Sequence, residues 1–347
     1  VQFVLHPLFS LPETHRLKLV FLPQDFSKVS FVKKLMDKNA RMRQLTAWAK
    51  EITLPGFDEV PLYDVTVFFR NEMKRNVISV RARAIAFTSF MALFPALIFL
   101  FTLIPYIPVE NLQVNLVDFI RDRIPLDTYK MIESTITGVI QEQRGDLLSI
   151  GLVLALFLST NAVMSLMQSF DKSYVVFMKR GMLKTRAIAF ALTIVLFFLL
   201  LLSIMTIVAG NTILRLMLDT FHILNPFNFI LFSTLKWMIV ILLFFLSISF
   251  IFYYGPAVKK KFRFVSAGST LATLLVIAIS IGFSYFVNNF GQYNRIYGSI
   301  GTIIALQIYI YLNSFALLLG YELNLAIAIS KNIRQHRVID ELQDGIV

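Results

Sequence analysis

Six stretches of the chain are almost continuously apolar: 84–105, 147–170, 187–212, 229–254, 264–288 and 297–330. Each is long enough for a helix to cross a hydrocarbon core, which takes about 20 residues. Membrane-spanning strands would be about ten residues long and alternate in polarity; nothing here alternates. In lipid a spanning segment must satisfy its own backbone N–H and C=O groups, so charge-poor runs of this length predict helices. The expected fold is an all-α polytopic membrane protein with six transmembrane helices. Its parts are a cytoplasmic extension (1–60), a membrane domain (61–330) with an outer helical cap (106–146), and a cytoplasmic tail (331–347).

Helical periodicity also marks the segments outside the spans. Ser27 is placed to cap a helix running to about Ile52, with Phe31, Leu35, Met42, Leu45, Ala49 and Ile52 on one side. Lys33, Lys34, Lys38, Arg41 and Arg43 fall mainly on other faces. Two readings of this basic amphipathic helix stand: it lies on an anionic leaflet, or it docks on the protein's own cytoplasmic face. Pro55-Gly56 predicts a turn. A second amphipathic piece, 62–79, is expected along the interface as an elbow into the first span. In the outer loop, stripes at Leu112, Leu116, Phe119 and Ile120, and at Met131, Ile132, Ile136, Val139 and Ile140, predict two short cap helices.

Composition agrees with the pattern: 57% of the residues are hydrophobic, 16% are charged, and the mean hydropathy is +0.70. Soluble domains average about 45–50% apolar and about 25% charged. A soluble enzyme and a disordered chain are therefore excluded. The absence of cysteine excludes a disulfide framework, a thiolate nucleophile and thiolate metal ligation. Residues 1–22 are interrupted by Pro7, Pro12, Glu13, His15 and Arg16, so the first span is expected to direct membrane insertion in place of a signal peptide.

The net charge of +12 sorts by membrane side. The N-terminal segment, the even-numbered loops and the C-terminal segment hold 26 of the 33 Lys and Arg residues, and the opposite side holds seven. The positive-inside rule then places both termini in the cytoplasm. A basic balance read this way describes topology, and no nucleic-acid partner is expected.

Polar groups inside the spans are costly and therefore informative. The second span carries Ser159, Thr160 and Asn161, then Gln168 and Asp171. The last carries Gln307, Asn313, Glu322 and Asn324, and these do not form one narrow stripe. Glu322 is the only acid within the six spans, close to the inner interface. Arg81 and Arg83, at the entry to the first span, are within reach of that level. Two readings stand, a gating carboxylate and a structural ion pair between the last helix and the first. The turn at 288–298, with Gln292, Asn294, Arg295 and Tyr297, reads as the outer mouth of a path or as an interfacial belt. Gly151, Ala155 and Ser159, and Ala278 with Gly282, are expected packing faces, and Pro95 an expected kink.

Several motifs are missing. There is no G-x-x-x-x-G-K-[ST] loop, so transport by this chain would not use its own ATPase. His6, His15, His222 and His336 are scattered without metal-ligand spacing. No Ser–His–acid set falls on one membrane face. Neither an enzyme nor a cofactor is expected.

Three stretches carry a family resemblance. They are the Ala-rich run from Arg83 to Leu93-Phe94-Pro95, then Phe170-Asp171-Lys172-Ser173-Tyr174, and the last span. In the last span the matching residues are Tyr293, Tyr297-Gly298-Ser299-Ile300-Gly301, Tyr309, Tyr311 and Leu319-Gly320-Tyr321-Glu322-Leu323-Asn324. Over about 62–330 the chain resembles the YihY/BrkB family of bacterial inner-membrane proteins, formerly labelled ribonuclease BN. It departs from the family at Asp171, where Asn is more usual, at Tyr309, where Trp is frequent, and in its long N-terminal extension. The resemblance implies six spans, both ends inside, and transport of a lipid or envelope component. The expected function is such a transporter or translocator. The alternative is a non-transporting scaffold whose basic N-terminal region binds partners or anionic lipid.

Overall fold

The computed structural model describes residues 47–53, 56–58, 60–75, 78–106, 143–171, 177–219, 226–288 and 291–344, with isolated positions 117, 133 and 138. Most of the expected helix at 27–52 and of the expected cap at 106–146 lies outside these residues. The described helices are α1 (Leu62–Arg75), α2 (Ile78–Leu103, continued by a 3-10 turn at Ile104–Tyr106), α3 (Gly145–Phe170), α4 (Met182–Asp219), α5 (Pro226–Tyr254), α6 (Ala267–Asn288) and α7 (Gly291–Asp344). Among the described residues there is no strand. By length and composition α2 to α7 each hold a segment able to cross a membrane, giving the six expected spans.

Local chemistry accounts for several boundaries. Asp146 sits in the first turn of α3, where its charge meets the positive end of the helix dipole. Pro226 opens α5, where its missing N–H costs no helical hydrogen bond. At the other end of α3, Asp171 turns to extended backbone and its N–H returns to the Gln168 carbonyl. Pro95 lies inside α2, which continues through it. Of the expected turn, Gly56 lies among the described residues and takes φ 91°.

Two boundaries differ from expectation. α2 begins at Ile78 and takes Arg81 and Arg83 into its first two turns. α7 starts at Gly291 and runs unbroken to Asp344. The polar stretch expected to be a turn is thus mostly helix, and the expected tail from 331 continues the last helix.

Neighbours in sequence pack together: α2 with α3, α4 with α5, and α6 with α7, while α7 also packs on α2 and α1. The main core gathers at one end of the bundle. It joins Ile78, Ala82 and Ile85 of α2, Leu166 and Phe170 of α3, Ile248, Ile251 and Phe252 of α5, and Leu318, Tyr321 and Leu325 of α7. Phe170 stacks on Tyr321 and meets Phe252 edge-on. The expected elbow α1 also packs inward, through Val65, which joins Phe57, Val60, Ala326 and Ile327. Elsewhere large apolar side chains such as Val153, Ile230, Leu274 and Ile281 face outward, as they would toward lipid.

Close approach of helices uses different glycines from those expected. Gly151 does lie against the backbone of Phe99 in α2. Gly282, by contrast, faces open space. The tight crossing is between α6 and α7, where Gly268 and Gly320 meet backbone to backbone and a Cβ on either would strike the other's carbonyl oxygen.

Candidate functional site: polar groups inside the bundle

Glu322 is fully buried, and its Oε1 lies 3.7 Å from Nη1 of Arg81 on α2. The same Arg81 nitrogen donates to the Ser169 carbonyl oxygen at 3.4 Å. One guanidinium therefore touches the end of α3 and the middle of α7 together. Beside it, the Tyr321 hydroxyl donates to the Phe170 carbonyl at 2.8 Å. Arg83 does not join this pair: it is exposed, and its Nε folds back to the Ser79 carbonyl on its own helix. The expectation that either arginine serves is thus narrowed to Arg81. About 200° of helix separates the two positions.

Asn324 has a different partner set. Its Oδ1 accepts from the Gly268 N–H at 2.8 Å and its Nδ2 donates to Ser266 Oγ at 2.8 Å. The amide thereby caps the start of α6 from across the Gly268–Gly320 crossing, and Ser266 and Ser269 bond each other there. This amide clasps α7 to the start of α6.

Deeper in the bundle, hydrogen-bonding capacity is left open. Thr160 Oγ1 on α3, Ser249 Oγ on α5, and Gln307 Oε1 and Asn313 Oδ1 on α7 are buried atoms with no hydrogen-bond partner among the described residues. Asn313 spends its Nδ2 on the Tyr309 carbonyl. The contacts of Tyr321 with Phe170 and Phe252 set a common level for α3, α5 and α7. Counting about 1.5 Å per residue from that level, Ser249 lies about 4.5 Å in, Asn313 about 12 Å, Thr160 about 15 Å and Gln307 about 21 Å. The open oxygens therefore occur at successive depths. On α7, Asn313 faces about 180° from Glu322, and Gln307 about 60° from it, so no single stripe exists. Nearby, Tyr309 stacks on Phe283 and shares a hydrogen bond with Ser280 at 2.9 Å.

The remaining expected residues are dispersed. Asn161 is half-buried on α3 and Gln168 is exposed. Asp171 lies beyond the end of α3. Partial burial is the largest influence on its carboxyl and raises its pKa above the usual range, while Arg180 and the Ala257 N–H pull it back. Desolvation lowers Arg180 correspondingly, against the charge of Asp171. Arg180 also donates to the carbonyls of Tyr254, Gly255 and Pro256, closing the end of α5. The backbone of Gln292, Asn294, Arg295 and Tyr297 is helical; their side chains lie outside the described residues. Lys331 pairs with Asp58 at 2.8 Å, and Arg263 meets the same carboxylate at 3.2 Å. Among the described residues no group of three or more His, Asp or Glu is placed to hold a metal.

Sequence reasoning missed Ser249, Ser266 and Arg180. Ser249 sits in an otherwise apolar run and gives little signal. Arg180 looked like one more topological cation.

A profile described as virulence factor BrkB matches residues 69–341. The ribonuclease-like protein YfkH of Bacillus subtilis is 30% identical over 244 residues, covering 70% of this chain and 88% of its own. A UPF0761 membrane protein of Tolumonas auensis is 36% identical over 67 residues, 19% of this chain and 22% of its own. A UPF0761 membrane protein of Xanthomonas campestris is 33% identical over 79 residues, 23% and 19% respectively. No solved structure matches. The matched region runs from α1 through all six spans to the far part of α7, and on that extent the chain belongs to the BrkB family of membrane proteins.

Proposed function

We propose that this protein is a transporter or translocator of a lipid or envelope component, acting without an ATPase of its own. One observation carries the reading: buried oxygens of Thr160, Ser249, Gln307 and Asn313 stand without partners among the described residues, at successive depths of the bundle. An unmet buried acceptor costs about 1–3 kcal/mol, and the bilayer core offers no water to relieve it. Such groups are consistent with a polar guest, or water accompanying it, passing between α3, α5 and α7. The Arg81–Glu322 pair closes the end of that region.

The proposed setting is the bacterial inner membrane with both termini cytoplasmic, supported by the 26-to-seven division of basic residues. The proposed role is non-enzymatic, although one relative's name includes "ribonuclease-like". In support, three acids, Asp58, Asp171 and Glu322, each face a cation. Membrane lipids are the proposed partners, and nucleic acid is not.

The test is reconstitution of the full chain in liposomes, following headgroup-labelled lipid by surface quenching and trapped solutes by release. Transport of either, slowed severalfold by Asn313→Leu or Gln307→Leu, is the expected result. Protein that moves neither under any imposed gradient overturns the proposal.

A further inference from the structure

The loops between α3 and α4 and between α5 and α6 are separate in sequence but form one surface. Phe177 and Val258 pair as an antiparallel bridge, and the Met178 N–H donates to the Ala257 carbonyl at 2.8 Å. Arg180 reaches across to three carbonyls at residues 254–256. This fastening brings the loop of Lys179 and Lys184 against that of Lys259, Lys260 and Lys261, all five exposed.

The surface has almost no anion of its own. The sequence holds no Asp or Glu over 172–218 or over 220–321. The two nearby acids are already engaged, Asp171 with Arg180 and Asp58 with Arg263 and Lys331. Lys261 Nζ stands 4.3 Å and 4.4 Å from the ring centres of Tyr253 and Tyr254, the last two residues of α5. Its charge is thus held over the aromatic end of a spanning helix, at headgroup level. Next to the cations, Met182 is 81% exposed and Leu183 85% exposed at the start of α4.

We infer that this two-loop surface binds anionic phospholipid headgroups of the leaflet it faces. The lysines supply the phosphate contacts, the tyrosine pair fixes the depth of Lys261, and Met182 and Leu183 lie against the upper acyl chains. Scattered topological charge requires neither the bridge nor the aromatic support, because it acts by count alone. A headgroup site requires the cations in one place, and a juxtamembrane Lys or Arg strengthens attachment to an anionic surface by about fivefold each (~1 kcal/mol). The inference stands whether or not the protein transports anything.

The experiment is native mass spectrometry of the full chain in neutral detergent, with phosphatidylglycerol or phosphatidylcholine of matched acyl chains. Phosphatidylglycerol is expected to be retained at least about tenfold better. The K259Q/K260Q/K261Q variant should lose that preference, and K259R/K260R/K261R should keep it. The variant R121Q/R123Q/K130Q removes the same charge from the loop between α2 and α3 and should bind as the parent does. Equal retention of the two lipids, undiminished preference in the triple Gln protein, or loss of preference in the R121Q/R123Q/K130Q variant overturns the assignment. So does displacement of the lipid by millimolar inorganic phosphate, which would mean that the surface takes the free anion.

Discussion

Tyr321 lies flat against Phe170, ring centres 4.1 Å apart, and donates its hydroxyl to the carbonyl of that same residue at 2.8 Å. Both side chains are fully buried, and the carbonyl belongs to the last turn of α3, where no helical partner remains for it. One side chain thereby supplies the packing and the hydrogen bond that fix α7 against α3. Tyr321→Phe should keep the stacking and lose about 1–2 kcal/mol. Tyr321→Ala should lose about 3–5 kcal/mol, as large aromatic deletions do. Thermal unfolding of the purified protein in detergent separates the two.

The Gly268–Gly320 crossing predicts a contrast between glycines. Gly268→Ala and Gly320→Ala should each destabilise the fold by about 1–3 kcal/mol or more, since backbone must shift to admit the methyl. Gly282→Ala should be neutral or slightly stabilising, because nothing lies near it and alanine favours the helix. The melting temperatures of the three variants check the order.

Arg81 and Glu322 should show energetic coupling. Removing one member of a buried pair costs about 3–5 kcal/mol, and less here because Arg81 is part-exposed. Glu322→Gln and Arg81→Gln should each destabilise, and the double variant by less than their sum, with a coupling of about 0.5–3 kcal/mol. A double-mutant cycle on chemical unfolding measures it; simple additivity would mean that the contact is energetically idle.

Asp171 predicts a pH dependence with a definite sign. Its folded-state pKa is raised, so the folded protein holds this proton more tightly than the unfolded chain. The contribution is fully present below the unfolded value and is lost as pH rises through the folded one. Asp171→Asn should remove this dependence. Its melting temperature should therefore gain on the parent's as pH rises from below 4 toward neutrality, and then hold a constant offset. Parallel melts across that range give the comparison.

The spans were legible because lipid leaves the chain no choice: a backbone without water must be helix, and helix in hydrocarbon must be apolar. The entry of Arg81 and Arg83 into α2 was less so, since hydropathy cannot see a guanidinium that finds a carboxylate on another helix. Which arginine does so depends on rotation about α2, a tertiary fact. The stretch from Gly291 looked like a turn because Asn, Gly and Gln favour turns by local bonding, yet its backbone continues as helix. Asn324 was visible as polar but its purpose was not, because the notch it fills exists only once Gly268 meets Gly320. Asp58 gave no signal at all; its value comes from Arg263 and Lys331, which the fold brings to it from afar.

The two-loop fastening has a mechanical consequence. The bridge at Phe177 and Val258, the Arg180 contacts, the Tyr321 hydroxyl and the Asp58–Lys331 pair all lie at one end of the helices. Among the described residues, Ser280–Tyr309 and Gln143–Pro105 are polar links placed further away. A sheaf bound at one end bends like a reed: the tied end supplies the pivot, and displacement grows with distance from it. Any widening between the helices should therefore begin at the far rim and narrow toward Arg81 and Glu322.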